Sequence, residues 1–69
     1  MNDQEIIKLE AYLQKKFANS GLSLKKRAQT GDSVEVLLNN EFIGVLYKDD
    51  EDPKDVSYDL NMAILASDL

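Results

Sequence analysis

The sequence contains no cysteine and no histidine, and these two absences exclude whole classes of chemistry. Without them the chain can build neither a Ser–His or Cys–His nucleophile nor a zinc site with nitrogen and sulfur ligands. Lysine, tyrosine and carboxylates remain for acid–base work, but the side chain best suited to neutral pH is missing. We therefore predict a non-catalytic protein with no catalytic, cofactor-binding or metal-binding residue. The lack of cysteine also fits a reducing compartment.

Long apolar stretches are absent as well. The longest uninterrupted run, Met62–Ala66, falls far short of the ~20 residues that cross a bilayer. The first residues, Met-Asn-Asp-Gln-Glu, lack the basic start and the apolar segment of a secretory signal. We expect a cytoplasmic protein with no membrane partner.

The residues that are present favour one small globular domain. The 69 residues carry 13 acidic and 8 basic side chains, a net charge of −5, and 43% of them are apolar. So short a chain buries only ~60% of its unfolded surface, which limits the core. We predict a single small α+β domain over residues 1–69. The charge is uneven, with six basic and three acidic residues over 1–31 against two basic and ten acidic over 32–69.

The first segment has the pattern of an amphipathic helix over residues 3–18. Its apolar residues recur at helical spacing along one stripe, which consists of Ile6, Leu9, Leu13 and Phe17. Asn2 and Glu5 have capping-box spacing, which predicts that the helix begins after Asn2, with Asp3 as the alternative cap. At the other end, Gly21 is predicted to take a left-handed conformation and stop the helix.

The remaining residues alternate between apolar and polar with period two, which predicts β-strands. Four strands are expected, at 22–27, around 33–38, at 41–48 and at 56–64, with turns at 29–32 and at Asn39-Asn40. Asparagine tolerates positive φ, so a two-residue hairpin turn fits the second position. Because sequential strands usually become neighbours, we predict the helix packed on a four-stranded antiparallel meander sheet.

The Asn39-Asn40 turn also predicts a register. It places Leu37 opposite Phe42 on one face and Val36 opposite Ile43 on the other. The first of these faces should be polar if water covers it, yet it is apolar. Contiguous apolar patches usually mark a contact surface, so we predict a protein-contact patch and a homodimer formed through it. The patch comprises Leu37, Phe42, Leu46, Ala63 and Leu65.

Two charged segments offer alternative interpretations. The acidic run is either a solvated loop or a docking loop for a basic partner, and its spacing does not fit a calcium-binding loop; its residues are Asp49, Asp50, Glu51, Asp52 and Asp55. The basic run of Lys25, Lys26 and Arg27 suggests a small nucleic-acid-binding protein. Consecutive strand residues point to opposite faces, however, and the net charge opposes phosphate binding, so we expect no nucleic-acid partner.

Two further features remain open at this point. Gly44 interrupts the third strand, and it indicates either a β-bulge, the close approach of another backbone, or room for a bulky neighbour. Tyr47 and Tyr58 could offer hydroxyl groups to a ligand, although strand tyrosines usually serve packing. A small-ligand binder or enzyme that uses carboxylates and tyrosine is therefore a second alternative.

Four segments together resemble a known family. They are residues 8–13 (KLEAYL), 32–36 (DSVEV), 41–47 (EFIGVLY) with the acidic run after it, and 62–65 (MAIL). The chain resembles the alphaproteobacterial Domain of Unknown Function 3126 family over nearly its whole length, and departs from it at residues 66–69. The resemblance implies an alphaproteobacterial source and a cytoplasmic setting. It implies no activity, and no functional residue carries over from it. Our leading hypothesis is a non-catalytic interaction module that self-associates through the outer sheet face.

Overall fold

The computed structural model describes residues 1–27 and 31–69. One helix is followed by four strands, in the order α1 (Asp3–Lys16), β1 (Leu22–Lys26), β2 (Ser33–Leu38), β3 (Glu41–Asp49) and β4 (Ser57–Met62). A short 3₁₀ helix, Ala66–Asp68, comes last. The strands form one antiparallel sheet in the order β1-β2-β3-β4. The predicted α+β meander is confirmed, and the predicted turn positions 29 and 30 lie outside the described residues.

The helix begins where its capping box predicts. The Asn2 side chain accepts a hydrogen bond from the Glu5 N–H at 2.8 Å, and the Glu5 carboxylate accepts one from the Asn2 N–H at 3.3 Å. These bonds satisfy two backbone donors that a helix N-terminus otherwise leaves without partners. The capping box therefore sets the start of α1 by local chemistry alone.

The helix ends two residues earlier than predicted, and Gly21 does not end it. Ala18 takes the positive φ, 50°, that we expected of Gly21. The Asn19 N–H then bonds to the Gln14 carbonyl at 2.9 Å, which closes the last turn. Gly21 is needed for a different reason, because a Cβ there would overlap the Asn39 side chain. The glycine thus allows the β2–β3 turn to approach the start of β1.

The hairpin turn between β2 and β3 is confirmed. Asn39 and Asn40 both have positive φ, 50° and 69°, as a two-residue turn of this kind requires. The first two predicted pairs, Leu38 with Glu41 and Leu37 with Phe42, are also observed. Beyond them the register shifts, because a β-bulge leaves Ile43 as an extra residue in β3.

The bulge reverses the faces of the rest of β3. Val36 lies opposite Gly44 and Val34 lies opposite Leu46, so the predicted pairs with Ile43 and Val45 are wrong. Strand side chains alternate between faces, so one extra residue turns every later side chain over. Leu46 therefore faces the helix, and Val45 points away from it.

The core lies between α1 and the facing side of the sheet, which we call the helix-side face. Its buried apolar residues are Leu13, Leu22, Val34, Val36 and Leu46. Ile6 and Leu9 pack against this cluster as predicted. Phe17, predicted to complete the helix stripe, is the C-cap residue of α1 and is 57% exposed, so it is not part of the buried core. In the described residues, α1 is too short and too polar to span a membrane.

Candidate functional site

The sheet face opposite the helix, which we call the outer face, carries an apolar depression of about 400 Å³. The bulge supplies Val45 and Tyr47 to this face, beside Phe42 from the start of β3. Ala63 and Leu65, which follow β4, fold against the same surface. We call these residues the outer patch: Phe42, Val45, Tyr47, Ala63 and Leu65.

The outer patch is exposed on the described molecule. Phe42 is 54% and Leu65 is 59% accessible to solvent. Leu37, half-buried, pairs with Phe42 across the strands and extends the apolar surface to β2. Four of the five residues predicted for the contact patch therefore lie on this side of the sheet.

The fifth predicted residue, Leu46, does not belong to the patch. Its side chain is only 3% exposed and lies in the core cluster. The prediction placed it outwards because strict alternation from Phe42 passes over the bulge at Ile43. Val45 and Tyr47 take its place on the outer face, and sequence reasoning missed Val45. Gly44 was the available signal, since glycine inside a strand often accompanies a bulge.

Gly44 in fact combines two of the interpretations left open. It lies directly after the bulged residue. In addition, a Cβ at Gly44 would overlap the carbonyl oxygen of Asn61 and lie 3.2 Å from the Met62 Cα. The close approach of β4 therefore requires a residue without a side chain at this position.

A second apolar surface lies on the helix-side face, and the sequence did not suggest it. A helix about 10 Å wide covers roughly two strands spaced ~4.8 Å apart, and α1 packs against β1. Leu60 and Met62 of β4 are consequently 40% and 57% exposed. They line a groove together with Phe17 and Ile43. The face that we expected the helix to cover is thus open along β4.

The acidic run forms an exposed loop in which two carboxylates accept hydrogen bonds from backbone N–H groups of the same loop. Asp49 accepts a hydrogen bond from the Glu51 N–H at 3.3 Å, and Asp52 accepts one from the Lys54 N–H at 3.0 Å. Within the described ranges, no three acidic side chains come close enough together to hold a metal ion. Asp50 and Asp55, the remaining members of the predicted docking loop, are exposed beside them.

The basic run does not form one surface. The Lys26 ammonium lies 2.5 Å from Asp3 of the helix, and this contact lowers the pKa of Asp3. Lys25 points to the opposite face and pairs in register with Glu35. The Arg27 guanidinium donates a hydrogen bond to the Ser33 hydroxyl at 3.4 Å. The three cations are therefore divided between the two faces and the end of β1.

One polar cluster joins the helix to the sheet. Glu5 accepts a hydrogen bond from the Tyr58 hydroxyl at 2.8 Å, and its carboxylate lies 2.7 Å from the Lys48 ammonium. The Lys48 hydrogen bond, followed by those from Tyr58 and from the Asn2 N–H, lowers the pKa of Glu5 to about 2. The same contact with Glu5 raises the pKa of both Lys48 and Tyr58. The pKa values of all three groups are shifted away from neutral pH, which suits a structural contact between helix and sheet better than proton transfer.

The molecule is thus an α+β domain with a helix on one face of a four-stranded antiparallel meander and an apolar patch on the other. The family model that matches it is described as "Protein of unknown function (DUF3126)", and the match extends over residues 5–68. The chain belongs to this family. Neither the curated proteins nor the solved structures that were compared gave a match. Because a fold does not imply an activity, membership of this family assigns no function to the chain.

Proposed function

We propose that the protein is a non-catalytic interaction module that self-associates through its outer face. The observation that carries the proposal is the outer patch, where exposed Phe42 and Leu65 lie in one apolar depression on the side away from the helix. Contiguous exposed apolar surface of this kind usually marks a contact. Packing it against another sheet would remove these side chains from water, worth about 1.5–3 kcal/mol for each large one.

A second copy is the partner that the charges favour. Lys25 lies on the outer side of β1, at one edge of the sheet, and Asp59 lies on the outer side of β4, at the other edge. A two-fold axis parallel to the strands would place β1 of one copy over β4 of the other. Lys25 would then lie level with Asn61 of the second copy, two residues (~7 Å) along β4 from Asp59, so opposite charges would lie near each other at both ends of the interface.

The proposal also includes the setting of the protein. The absence of cysteine supports a reducing compartment. The family resemblance supports the cytoplasm of an alphaproteobacterium. A cytoplasmic homodimer is therefore the state in which we propose that the protein acts.

Light scattering coupled to size-exclusion chromatography tests the outer face. The wild type should reach at least twice the chain mass of 7.8 kDa as its concentration rises. Phe42→Glu should remain folded and show a lower mass than the wild type at the same concentration, because removing the new charge from water on packing the patch is unfavourable. Ile7→Glu is the matched control, since Ile7 is also apolar and exposed but lies on the helix.

Three outcomes would contradict the proposal. The first is a wild type that stays monomeric up to about millimolar concentration, where even weak pairs form. The second is a Phe42→Glu variant that still dimerises like the Ile7→Glu control. The third is a Phe42→Glu variant that unfolds, because an exposed patch residue should tolerate the charge in the monomer.

A further inference from the structure

The backbone groups at the two edges of the sheet differ in whether other parts of the chain form hydrogen bonds with them. At the β1 edge, the Leu24 N–H donates to the Glu10 carboxylate at 3.0 Å, and the Leu22 carbonyl accepts from the Gln14 side chain at 2.8 Å. Two helix side chains thus occupy the backbone groups of that edge. Among residues 1–27 and 31–69, the side-chain-to-backbone hydrogen bonds reach no backbone group of β4.

The backbone groups that β4 leaves free can be identified from the hydrogen-bond alternation. The Lys48 N–H donates to the Asp32 carbonyl at 2.8 Å, so Lys48 directs its backbone groups towards β2. Antiparallel strands alternate, so Tyr47 and Val45 direct theirs towards β4. These two residues pair with Asp59 and Asn61. The N–H and C=O groups that point away from the sheet therefore belong to Tyr58, Leu60 and Met62.

We propose that this free edge pairs with the same edge of a second copy, in an antiparallel arrangement that makes one continuous eight-stranded sheet. The surface is distinct from the outer patch, so the inference does not depend on the function proposed above. Proteins usually blunt an exposed edge with lysine, proline or a bulge. The strand Ser57–Met62 contains no lysine, no proline and no bulge, and its one charged residue, Asp59, lies on the outer face.

The side chains of β4 favour one register. A two-fold axis through Leu60 places Leu60 opposite its own copy, Tyr58 opposite Met62, and Asp59 opposite Asn61. The three residues with free backbone groups, Tyr58, Leu60 and Met62, then all lie in hydrogen-bonded pairs across the interface. These pairs contain about six backbone hydrogen bonds in total. Each Asp59 carboxylate then lies opposite an Asn61 amide, so no two like charges face each other. An axis through Asp59 would instead place two carboxylates opposite each other, which destabilises a pair of strands.

The acidic loops and the helices leave room for this pairing. In the antiparallel arrangement the loops that precede β4 lie at opposite ends of the strand pair, separated by roughly 20 Å for six residues. That distance exceeds the ~8 Å screening length at physiological salt, so their repulsion is weak. The α1 backbone packs on β1, at the far edge of the sheet, and Glu5 contacts β4 through the Tyr58 side chain, so this hydrogen bond does not use the outward backbone groups of β4.

Disulfide trapping tests the pairing directly, because the chain has no cysteine of its own. In the Leu60→Cys variant the two Cα atoms would lie about 5.5 Å apart, within the range that a disulfide spans. In the Met62→Cys control the same atoms would lie about 14 Å apart, although the Met62 side chain is the more exposed of the two. We expect Leu60→Cys to cross-link at least tenfold faster under mild oxidation, with circular dichroism confirming that both variants fold. Equal rates would indicate random collision and overturn the proposal.

A charge series at Asn61 provides a second measurement, made with the Phe42→Glu substitution also present so that the outer face does not contribute. Asn61→Asp should weaken edge dimerisation about fivefold, because it places two carboxylates opposite each other twice. Asn61→Lys should strengthen it by a similar factor. If neither change alters the dissociation constant, the register is wrong and the proposal fails. Failure of the outer-face proposal has a separate readout. In that case Phe42→Glu would not change the mass of the protein without cysteine substitutions.

Discussion

Replacing Leu46 by alanine tests the β-bulge and the two sheet faces that it creates. Leu46 is one of five buried apolar residues in the described core. Truncating a buried leucine to alanine costs about 2–5 kcal/mol, part of it for the cavity that remains. A domain of this size has a total stability of roughly 3–10 kcal/mol, so we expect Leu46→Ala to be close to unfolding.

Phe42→Ala is the matched comparison. Under strict alternation Phe42 and Leu46 would share the outer face, whereas the bulge separates them. Phe42 is half exposed, so its truncation should cost about 1 kcal/mol or less even though more atoms are removed. The two variants should therefore differ by several kilocalories per mole.

Urea unfolding followed by circular dichroism measures both free energies. At about 4–8 °C per kcal/mol for a domain this small, thermal melts should separate the two variants by 10 °C or more. If Phe42→Ala destabilises the protein as much as Leu46→Ala, the bulge is absent and Leu46 belongs on the outer face. Measurements at low protein concentration keep dimerisation from adding to the apparent stability.

Three further predictions follow from the described contacts. Gly44→Ala should destabilise the fold by about 1–3 kcal/mol, because the new Cβ overlaps the Asn61 carbonyl; a neutral result in urea unfolding would show that β4 does not approach so closely. The pKa of Glu5 is lowered from 4.5 to about 2 in the folded protein, so its contribution to stability is complete above pH 4.5 and is lost as the pH falls towards 2. Glu5→Gln should therefore reduce the loss of stability between pH 4.5 and pH 2, as measured by unfolding midpoints across that range. If the pH dependence is unchanged in this variant, Glu5 is not its cause. Calorimetric titration with Ca²⁺ should show no saturable one-site binding tighter than ~100 µM, since even weak calcium modules bind at 10⁻⁴–10⁻³ M; a tighter site would contradict the interpretation of the acidic loop as solvated.

Features that depend on a few neighbouring residues could be predicted from the sequence. The start of α1 follows from Asn2 and Glu5, whose reciprocal bonds close within four residues. The β2–β3 turn follows from Asn39 and Asn40, because asparagine adopts positive φ at small cost. With these two local signals and the period-two alternation, the helix, the four strands and the meander order are all determined.

The face on which each β3 side chain lies was decided by the tertiary structure. Alternation counts residues along one strand, but the bulge at Ile43 depends on how β3 meets the strands on either side. Gly44 permits the approach of the β4 backbone, and no short-range pattern shows how close that approach becomes. As a result, Leu46 lies on the helix-side face and Val45 on the outer face, the reverse of the prediction. The other four residues of the predicted patch lie on the outer side as expected.

The coverage of the sheet is likewise a property of the assembled fold. The sequence shows that α1 has an apolar stripe, but not which strands the stripe will meet. Packing on β1 brings Glu10 and Gln14 within hydrogen-bond distance of one edge and leaves β4 open at the other. The Glu5–Tyr58 bond joins residues 53 positions apart. Local propensity acts over a few residues, so contacts across such separations, and the surfaces that they leave uncovered, are determined only when the helix docks on the sheet.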